Sequence, residues 1–173
     1  MKKFAIIGGS FNPVTKAHVE IGQIAARELP EWQILYIPAP DRFLTSWKAM
    51  EKNDILSGEQ RLNLLRKAVE PHGFLCEDCE VHLKTSAKTY DTMQYLRTQY
   101  GQDTQLVYVC GTDKLSELSI WYKAEGIFEL SRFLVIPRDG DEPEKMIEKI
   151  PFLKERKDKI AVSYTHLRAH ETL

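Results

Sequence analysis

Two glycines, a threonine and a histidine near the start of the chain have the types and the spacing of a phosphate-binding turn. Gly8 and Gly9 interrupt an apolar run, and they allow a tight turn and a close backbone approach that a side chain would block. Thr15 and His18 lie three residues apart in a helical pattern, so both side chains can face the turn. Backbone N–H groups and the positive end of a helix dipole would then point at one spot. The pattern predicts a phosphate site; the alternative is a plain turn with a buried structural histidine.

A strand, a loop and a helix must hold those residues in place. Residues 4–7, FAII, lack the alternation of a half-exposed strand and predict a buried parallel strand. Residues 10–13 continue a rigid loop, and the helical pattern begins at about Thr15. Residues 32–38, WQILYIP, predict a second strand. The strand–helix–strand order predicts a right-handed crossover in a parallel sheet.

Three later segments complete the expected sheet. Residues 74–83, 105–110 and 133–137 are predicted strands, and helical patterns lie between them. We therefore expect an α/β fold, with a Rossmann-like open parallel sheet of about five strands and helices on both faces, in three αβα layers. Residues 1–161 are expected to form this single domain, because a chain of 173 residues suits one hydrophobic core.

The end of the strand at residues 105–110 carries a second set of candidate ligand-binding residues. Gly111 and Asp113 follow this strand, and Trp121 comes a few residues later. Ligands of open α/β sheets bind beyond the carboxyl ends of the strands, and an indole offers a flat surface to a flat heterocycle. The alternatives are a helix N-cap for Asp113 and a core anchor for Trp121.

A helix start with an adjacent arginine is predicted near residue 57. Ser57 and Gln60 have the spacing of a capping box, and the apolar positions that follow fit the core-facing stripe of a helix. Arg61 lies next to this box. The family resemblance given below implies that Arg61 positions the helix or lies near phosphate, and the alternative is a solvated arginine.

Cysteines and histidines between positions 72 and 82 have the residue types of zinc ligands. The four residues are His72, Cys76, Cys79 and His82. On the expected strand Cys76 and Cys79 would point to opposite faces, because their offset is odd. A tetrahedral site needs all its ligands to converge, so we expect no protein-held metal there.

The string GGSFNPVTKAH, residues 8–18, resembles the signature of the nucleotidyltransferases with an HIGH-type fold. It is most similar to that of the nicotinamide/nicotinate mononucleotide adenylyltransferases. Residues 86–92 and 111–121 resemble this family's S-Y-T-x-D-T segment and its G-[AT]-D-x-[LF]…W string. Two positions depart from the pattern: Ala17 stands where the family usually has Gly, and Lys88 where it usually has Tyr.

The resemblance implies adenylyl transfer from ATP to nicotinamide or nicotinate mononucleotide, with release of pyrophosphate and with Mg²⁺ bound to ATP. It implies that the catalytic residues are His18 and Thr15, which bind the ATP phosphates. The implied ATP-binding residues are Gly8, Gly9, Ser10, Phe11, His18, Gly111 and Asp113. The implied acceptor-binding residues are Asn12, Lys48, Thr89 and Trp121. The alternatives are an ordinary surface lysine for Lys48 and a plain helix start for Thr89.

Two other functions stay open at this point. One is a nucleotidyltransferase of the same superfamily that acts on phosphopantetheine or a polyol phosphate. The other is a module that binds nucleotide without catalysis. The resemblance of Trp121 and of residues 86–92 to the pyridine-nucleotide enzymes favours a pyridine mononucleotide as acceptor over phosphopantetheine or a polyol phosphate. The non-catalytic module stays open if the tail is foreign.

The last residues carry a separate expectation. Residues 162–172, VSYTHLRAHET, are the translation of a transposon-end adapter used in sequencing libraries. We therefore expect residues 162–173 to be a non-native tail, and the native chain to be truncated after about Ala161. The alternative is that Ser163, Thr165 and Arg168 bind phosphate, because they fit the spacing of the family's C-terminal I-S-S-T-x-[IL]-R motif.

Composition restricts the classes of function and partner. The formal net charge is −1 with 28% charged residues, which does not favour a nucleic-acid partner. No run of about 18 apolar residues exists, so no membrane span is expected, and the first strand begins too early for a signal peptide. Three cysteines fit a reducing cytoplasm better than a disulfide framework. The sequence leaves open whether the chain forms a homo-oligomer.

Overall fold

The computed structural model describes residues 1–46 and 55–167 as an α/β fold. The strands are β1 (Lys3–Gly9), β2 (Gln33–Pro38), β3 (Leu75–Cys76), β4 (Gln105–Gly111), β5 (Arg132–Ile136) and β6 (Ile160–Val162). The helices are α1 (Lys16–Glu28), α2 (Asp41–Ser46), α3 (Gly58–Val69), α4 (Thr89–Tyr100), α5 (Ala124–Leu130), α6 (Pro143–Lys149) and α7 (Pro151–Lys154).

All strand pairs in the described sheet are parallel, in the order β3-β2-β1-β4-β5-β6. The chain moves outward from β1 in one direction through β2 and β3, and then in the other direction through β4, β5 and β6. The direction of winding therefore reverses between β1 and β4. This reversal is the topological switch point at which open α/β sheets bind ligands.

Alternate residues of the central strands supply two separate cores, one on each face of the sheet. Phe4 and Ile6 face a core that also contains residues of α4, α5, α6 and α7. Ala5 and Ile7 face a core that contains residues of α1 and α3. Both faces are covered, so the strands are continuously apolar. The expected Rossmann-like arrangement of three layers is confirmed.

The strand predicted over residues 74–83 is wrong for most of its length. Only Leu75–Cys76 pairs with β2, and residues beyond it fold into turns. Glu77 N–H still donates to the Tyr36 carbonyl of β2, but the later bonds are local: His82 N–H donates to the Asp78 carbonyl, and Lys84 N–H donates to the Cys79 carbonyl. The argument that placed Cys76 and Cys79 on opposite strand faces therefore does not apply. In the described parts of the chain, no group of three or more metal-ligating residues converges.

The chain after residue 160 adds a sixth strand to the five or so that were expected. Ile160–Val162 pairs with β5, and Leu167 N–H donates to the Pro137 carbonyl beyond that strand's end. Leu167 packs in the core beside α1. The foreign origin of residues 162–173 stays a prediction, because packing does not report where a sequence came from.

A fully buried arginine connects the loops at the carboxyl edge of the sheet. Arg61 has no exposed surface. Its Nη1 donates to the carbonyls of Ser10 and Ala39, at 2.8 and 2.7 Å. Its Nε donates to the Leu56 carbonyl at 3.2 Å, and its Nη2 donates to Asp41 Oδ1 at 2.7 Å. Arg61 is therefore a positioning group, and the solvated alternative is wrong.

We predict that Arg61→Met lowers the free energy of unfolding by about 3 kcal/mol. The substitution keeps an apolar stem but leaves one buried carbonyl, at Ala39, and two partly buried carbonyls, at Ser10 and Leu56, without their donor. A fully buried orphaned group costs about 1–3 kcal/mol, and the two partly buried groups cost less. Urea titration followed by circular dichroism measures the change. Arg66→Met on the same helix is the matched control, because the Arg66 side chain is 41% exposed and surface pairs contribute little. Equal stabilities of the two variants would contradict the prediction.

Candidate active site

A crevice opens at the switch point because β1 pairs unequally with its two neighbours. The β1–β2 ladder runs to the end of the strand, at Gly9 opposite Pro38. The β1–β4 ladder stops earlier, at Ile6 opposite Tyr108. The last residues of β1 are thus separated from β4. Gly8 and Gly9 are exposed at this edge, where a ligand can approach their backbone.

The two glycines are required by the aromatic side chains beside them. A Cβ on Gly8 would lie 2.9 Å from Tyr108 Oη, and a Cβ on Gly9 would lie 3.2 Å from Phe11 Cζ. Contacts of this length force the neighbour to move. Phe11 itself is buried and has a positive φ of 48°, so its ring fills the space beneath the turn. Side chains at positions 8 and 9 would both displace this packing and cover the backbone.

Thr15 and His18 form a capping box at the start of α1. Thr15 Oγ1 accepts from the His18 backbone N–H, and the Thr15 backbone N–H donates to His18 Nδ1 at 2.9 Å. An N–H group can only donate, so Nδ1 must be the acceptor. The neutral imidazole therefore carries its proton on Nε2. This tautomer presents a hydrogen-bond donor, which is the group that a phosphate oxygen accepts from.

The imidazole of His18 lies between the helix start and the buried ring of Phe11. The two ring centroids are 4.9 Å apart and the rings meet edge to face. The side chain is half-buried, so the structural alternative of a histidine enclosed in the core is not realised. Tyr36 Oη donates to the His18 carbonyl at 2.8 Å, which ties the first turn of α1 to β2. The position of the ring is thus fixed by contacts with both neighbouring elements.

The end of β4 contributes an exposed carboxylate and a buried hydroxyl. Asp113 is exposed, and its Oδ1 lies 2.7 Å from where a Cβ of Gly111 would be. The helical turn at residues 112–114 has Gly111 as its N-cap and no side-chain cap, so Asp113 does not act as the N-cap. The Thr112 hydroxyl is buried and has no hydrogen-bond partner among the described residues. Gly111 lets the carboxylate fold back over the strand end.

Trp121 packs against Tyr108 of β4, and part of its side chain is exposed to solvent. The indole is half-buried and meets the ring of Tyr108 edge to face, with centroids 5.6 Å apart. Its Nε1 donates to Glu117 Oε1 at 3.3 Å. Trp121 therefore packs against the core, as the core-anchor alternative expects, but it is not fully enclosed there. The exposed part of the indole could contact a flat ligand.

Thr89 begins α4 beside the same loop. The N-cap of α4 is Lys88, which makes no capping hydrogen bond through its side chain. The Lys88 ammonium lies 4.4 Å from the ring centroid of Tyr122, the residue after Trp121. This contact brings the Thr89 segment and the Trp121 segment together. Neither Thr89 nor Asp91 caps the helix.

The remaining sequence-predicted acceptor residues are Asn12 and Lys48. Asn12 Oδ1 accepts from the Leu56 backbone N–H at 2.8 Å, so its side chain connects the turn after β1 to the segment before α3. Lys48 lies outside the described residues, as does Arg168 of the predicted tail motif. The turn after β1 and the loop after β4 end at the same edge of the sheet, as parallel strands require.

Sequence reasoning missed Tyr108 as a site residue. Tyr108 is half-buried on β4, with its hydroxyl beside Gly8 and its ring against Trp121. Burial raises the pKa of its phenol far above the usual value, so the hydroxyl stays protonated. Its place inside a predicted central strand gave no signal, because an aromatic residue there is an ordinary core residue.

A family model of cytidylyltransferase-like proteins matches residues 6–170. Nicotinic acid mononucleotide adenylyltransferase from Plasmodium falciparum complexed with NaAD has a TM-score of 0.69 and 18% identity, over 100% of this chain and 78% of that chain. The same protein complexed with APC gives a TM-score of 0.67 and 18% identity, over 100% and 77%. A Vibrio parahaemolyticus protein provisionally named a nicotinate-nucleotide adenylyltransferase gives 0.59 and 22%, over 90% and 91%.

The solved structures show the fold that this chain shares with them. The match to the family model is a match of sequence. It includes the two segments that border the crevice, namely the turn after β1 and the loop after β4. In the described ranges no helix has the length and apolar character needed to cross a membrane. Because the family model covers nearly the whole sequence, the protein belongs to the cytidylyltransferase-like family and is a nucleotidyltransferase.

Proposed function

We propose that this protein transfers the adenylyl group of ATP to nicotinate or nicotinamide mononucleotide. The observation that carries the proposal is the Thr15–His18 capping box, which leaves the imidazole proton on Nε2 of a ring that packs on Phe11, next to the exposed Gly8–Gly9 turn. The acceptor is supported by the structural neighbours, since the Plasmodium falciparum protein is named for nicotinic acid mononucleotide and was solved with NaAD. The half-open indole of Trp121 suits a pyridine ring.

In the proposed reaction a phosphate oxygen of the mononucleotide attacks the α-phosphorus of ATP in line. The new P–O bond forms as the bond from the α-phosphorus to the α–β bridging oxygen breaks, and pyrophosphate leaves with the electron pair. The attacking phosphate is already a nucleophile, so no side chain has to become covalently bound. The protein contributes alignment of two reactants, worth up to about 7–11 kcal/mol in favourable cases.

His18 and Thr15 stabilise the charge that grows on the leaving pyrophosphate. The Nε2–H group of His18 donates to a phosphate oxygen, and the N-terminus of α1 adds its partial positive charge. Donors that are already in position need no reorganisation as the reaction proceeds. Gly8 and Gly9 let the triphosphate approach the backbone, and Asp113 faces the nucleotide from β4.

Mg²⁺ would accompany ATP rather than occupy a protein-built site. The described residues around the crevice supply imidazole, hydroxyl and amide groups and the exposed carboxylate of Asp113, and no metal-binding cluster is found in the described ranges. This donor set fits an ion held by phosphate oxygens and water. The ion would neutralise charge on the triphosphate.

A reducing compartment such as the cytoplasm suits the thiols of this chain. Cys76, Cys79 and Cys110 are free cysteines. Burial raises the pKa of the Cys76 thiol to about 11 and that of Cys110 to about 12. The thiols are therefore protonated at neutral pH and unreactive as nucleophiles.

A panel of acceptor phosphates tests the proposed function. The protein is incubated with ATP, Mg²⁺ and, separately, nicotinate mononucleotide, nicotinamide mononucleotide, phosphopantetheine and a polyol phosphate. We expect a dinucleotide and an equal amount of pyrophosphate with at least one pyridine mononucleotide, as detected by mass spectrometry. Turnover confined to phosphopantetheine or the polyol phosphate would replace the proposed acceptor. ATP binding without turnover of any acceptor would instead identify a non-catalytic module.

We predict that His18→Ala lowers kcat by about 10²–10³-fold, the usual effect of removing one donor to a developing oxyanion. Steady-state kinetics measures the change. His18→Gln is the matched variant, because glutamine at this position can still accept from the Thr15 N–H in a capping box. It should return the melting temperature toward that of the wild type without restoring kcat. A kcat/KM within threefold of wild type in His18→Ala would rule out the phosphate role.

For Trp121→Ala we expect the KM of the pyridine mononucleotide to rise about tenfold, while the KM of ATP changes less than twofold. Stacking of a base on an aromatic side chain contributes about 1–3 kcal/mol. Trp121→Phe should retain most of the effect. Trp32→Ala is the control for loss of an indole elsewhere, since half-buried Trp32 lies beside the start of β2. Parallel increases in both KM values would count against stacking on the acceptor.

A further inference from the structure

A chain of hydroxyl groups lies beneath the segment that begins α4. Thr92 Oγ1 donates to Glu80 Oε2 at 2.8 Å. Thr85 Oγ1 lies 3.1 Å from Thr92 Oγ1, and the Ala87 backbone N–H donates to Thr85 Oγ1 at 2.9 Å. The chain thus runs from a backbone amide to a carboxyl group. Thr92 is buried, with 3% of its surface exposed, so water contributes little to it.

The direction of these hydrogen bonds follows from what each group can donate. The Ala87 N–H can only donate, so Thr85 Oγ1 accepts there and is able to pass its own proton toward Thr92. Thr92 gives its single hydroxyl proton to Glu80. An ionised carboxylate accepts only, so the chain ends on the group best suited to receive it. Each hydroxyl then both accepts and donates, and no donor in the chain competes with another.

These hydrogen bonds, from the Ala87 amide through Thr85 and Thr92 to Glu80, are called the relay below. The backbone is strained at its amide end. Ala87 has a positive φ of 69°, a conformation that a residue with a Cβ adopts at a cost and that persists only when its surroundings enforce it. Two residues later, Thr89 begins α4. The Ser86 hydroxyl accepts from the Lys88 N–H and donates to Asp91, which fixes the other side of the same turn. The relay is therefore placed to hold the Thr89 segment against the sheet.

We propose that Glu80 is a positioning residue, which acts through Thr92 and Thr85 to hold the backbone at residues 87–89 in the shape that binds the acceptor mononucleotide. Glu80 itself does not touch the substrate. This inference rests on the proposed function, because Thr89 and Trp121 are assigned there to the acceptor. It assigns Glu80, Thr85 and Thr92 a role in affinity for the acceptor and none in affinity for ATP.

The ionisation of Glu80 gives the relay a signature in pH. Burial raises the pKa of this carboxyl to about 7, against the lowering effect of the Thr92 hydrogen bond. Among the titratable groups, Tyr108 on β4 and Cys79 on the same turn feel its charge. Burial raises the pKa of both groups far above neutrality, so each stays uncharged. Above pH 7 the carboxylate accepts a charge-assisted bond from Thr92, and below pH 7 that assistance is lost.

The test compares the KM values of acceptor and ATP in relay variants of the full chain. Thr85→Val removes the hydroxyl that joins Thr92 to Ala87 with almost no change in shape, and we expect the acceptor KM to rise about tenfold with the ATP KM within twofold. Thr85→Ser keeps the hydroxyl and should return the acceptor KM to near the wild-type value. Thr98→Val is the matched control, because the Thr98 hydroxyl donates to the Gln94 carbonyl on the exposed side of α4.

A second test compares the acceptor KM of Glu80→Gln with that of wild type at several pH values. The substrate phosphate titrates in both proteins, so its effect cancels in the ratio of the two KM values and the effect of the Glu80 carboxyl remains. We expect this ratio to be near one at pH 6 and to rise as pH increases through about 7. Hydrogen exchange of the Ala87 amide is a readout that needs no substrate, and it should be faster in Thr85→Val than in wild type or Thr98→Val.

The outcomes separate this inference from the function on which it rests. A wild-type protein that turns over neither pyridine mononucleotide overturns the proposed function, and this inference with it. An active wild type whose acceptor KM is unchanged in Thr85→Val, or changes in parallel with the ATP KM, overturns the relay alone. A pH-independent ratio for Glu80→Gln, or unchanged Ala87 exchange in Thr85→Val, also overturns it.

Discussion

The hydrogen bonds of the buried Arg61 guanidinium are the interaction on which the geometry of the crevice depends. The groups it holds, at Ser10, Ala39 and Leu56, are all carbonyls, so they cannot bond to one another. A planar cation with five donors and no acceptor satisfies several of them at once. Burying a charge is costly, and the bond to Asp41 offsets part of that cost. The turn after β1 is thereby fixed to two loops that come from distant parts of the sequence.

In the capping box of α1, the His18 imidazole has two roles: one ring nitrogen caps the helix, and the other can donate to a ligand. In a capping box the third residue of the helix supplies an acceptor to the N-cap amide, and this residue is usually Glu or Gln. Here His18 supplies it with Nδ1, which leaves the proton on Nε2. A glutamate at this position would stabilise the helix as well, yet it would repel a phosphate. The histidine therefore reconciles the requirement of the helix with that of an anionic ligand.

The sequence was sufficient where local rules decide the outcome. The apolar run before Gly8 and the capping box at Ser57 were predicted correctly, because each depends on neighbours within a few residues. The parallel sheet was also predicted correctly, because the strand–helix–strand order favours a right-handed crossover. The strand over residues 74–83 was mostly wrong, since local backbone bonds fold its second half into turns. The roles of Arg61 and Tyr108 depend on contacts between segments far apart in the chain, which periodicity does not encode.

The outer strands of the sheet are short, and this limits how copies of the chain can pair along its edges. β3 has two residues and β6 has three, so each described margin offers few unpaired backbone groups. Charged residues, among them Glu77, Asp78 and Lys159, lie next to these strands. A second molecule that tried to extend the sheet by adding its own strand would find little to pair with and would have to desolvate charge. The described margins of the folded sheet therefore disfavour edge-to-edge pairing between copies of the chain.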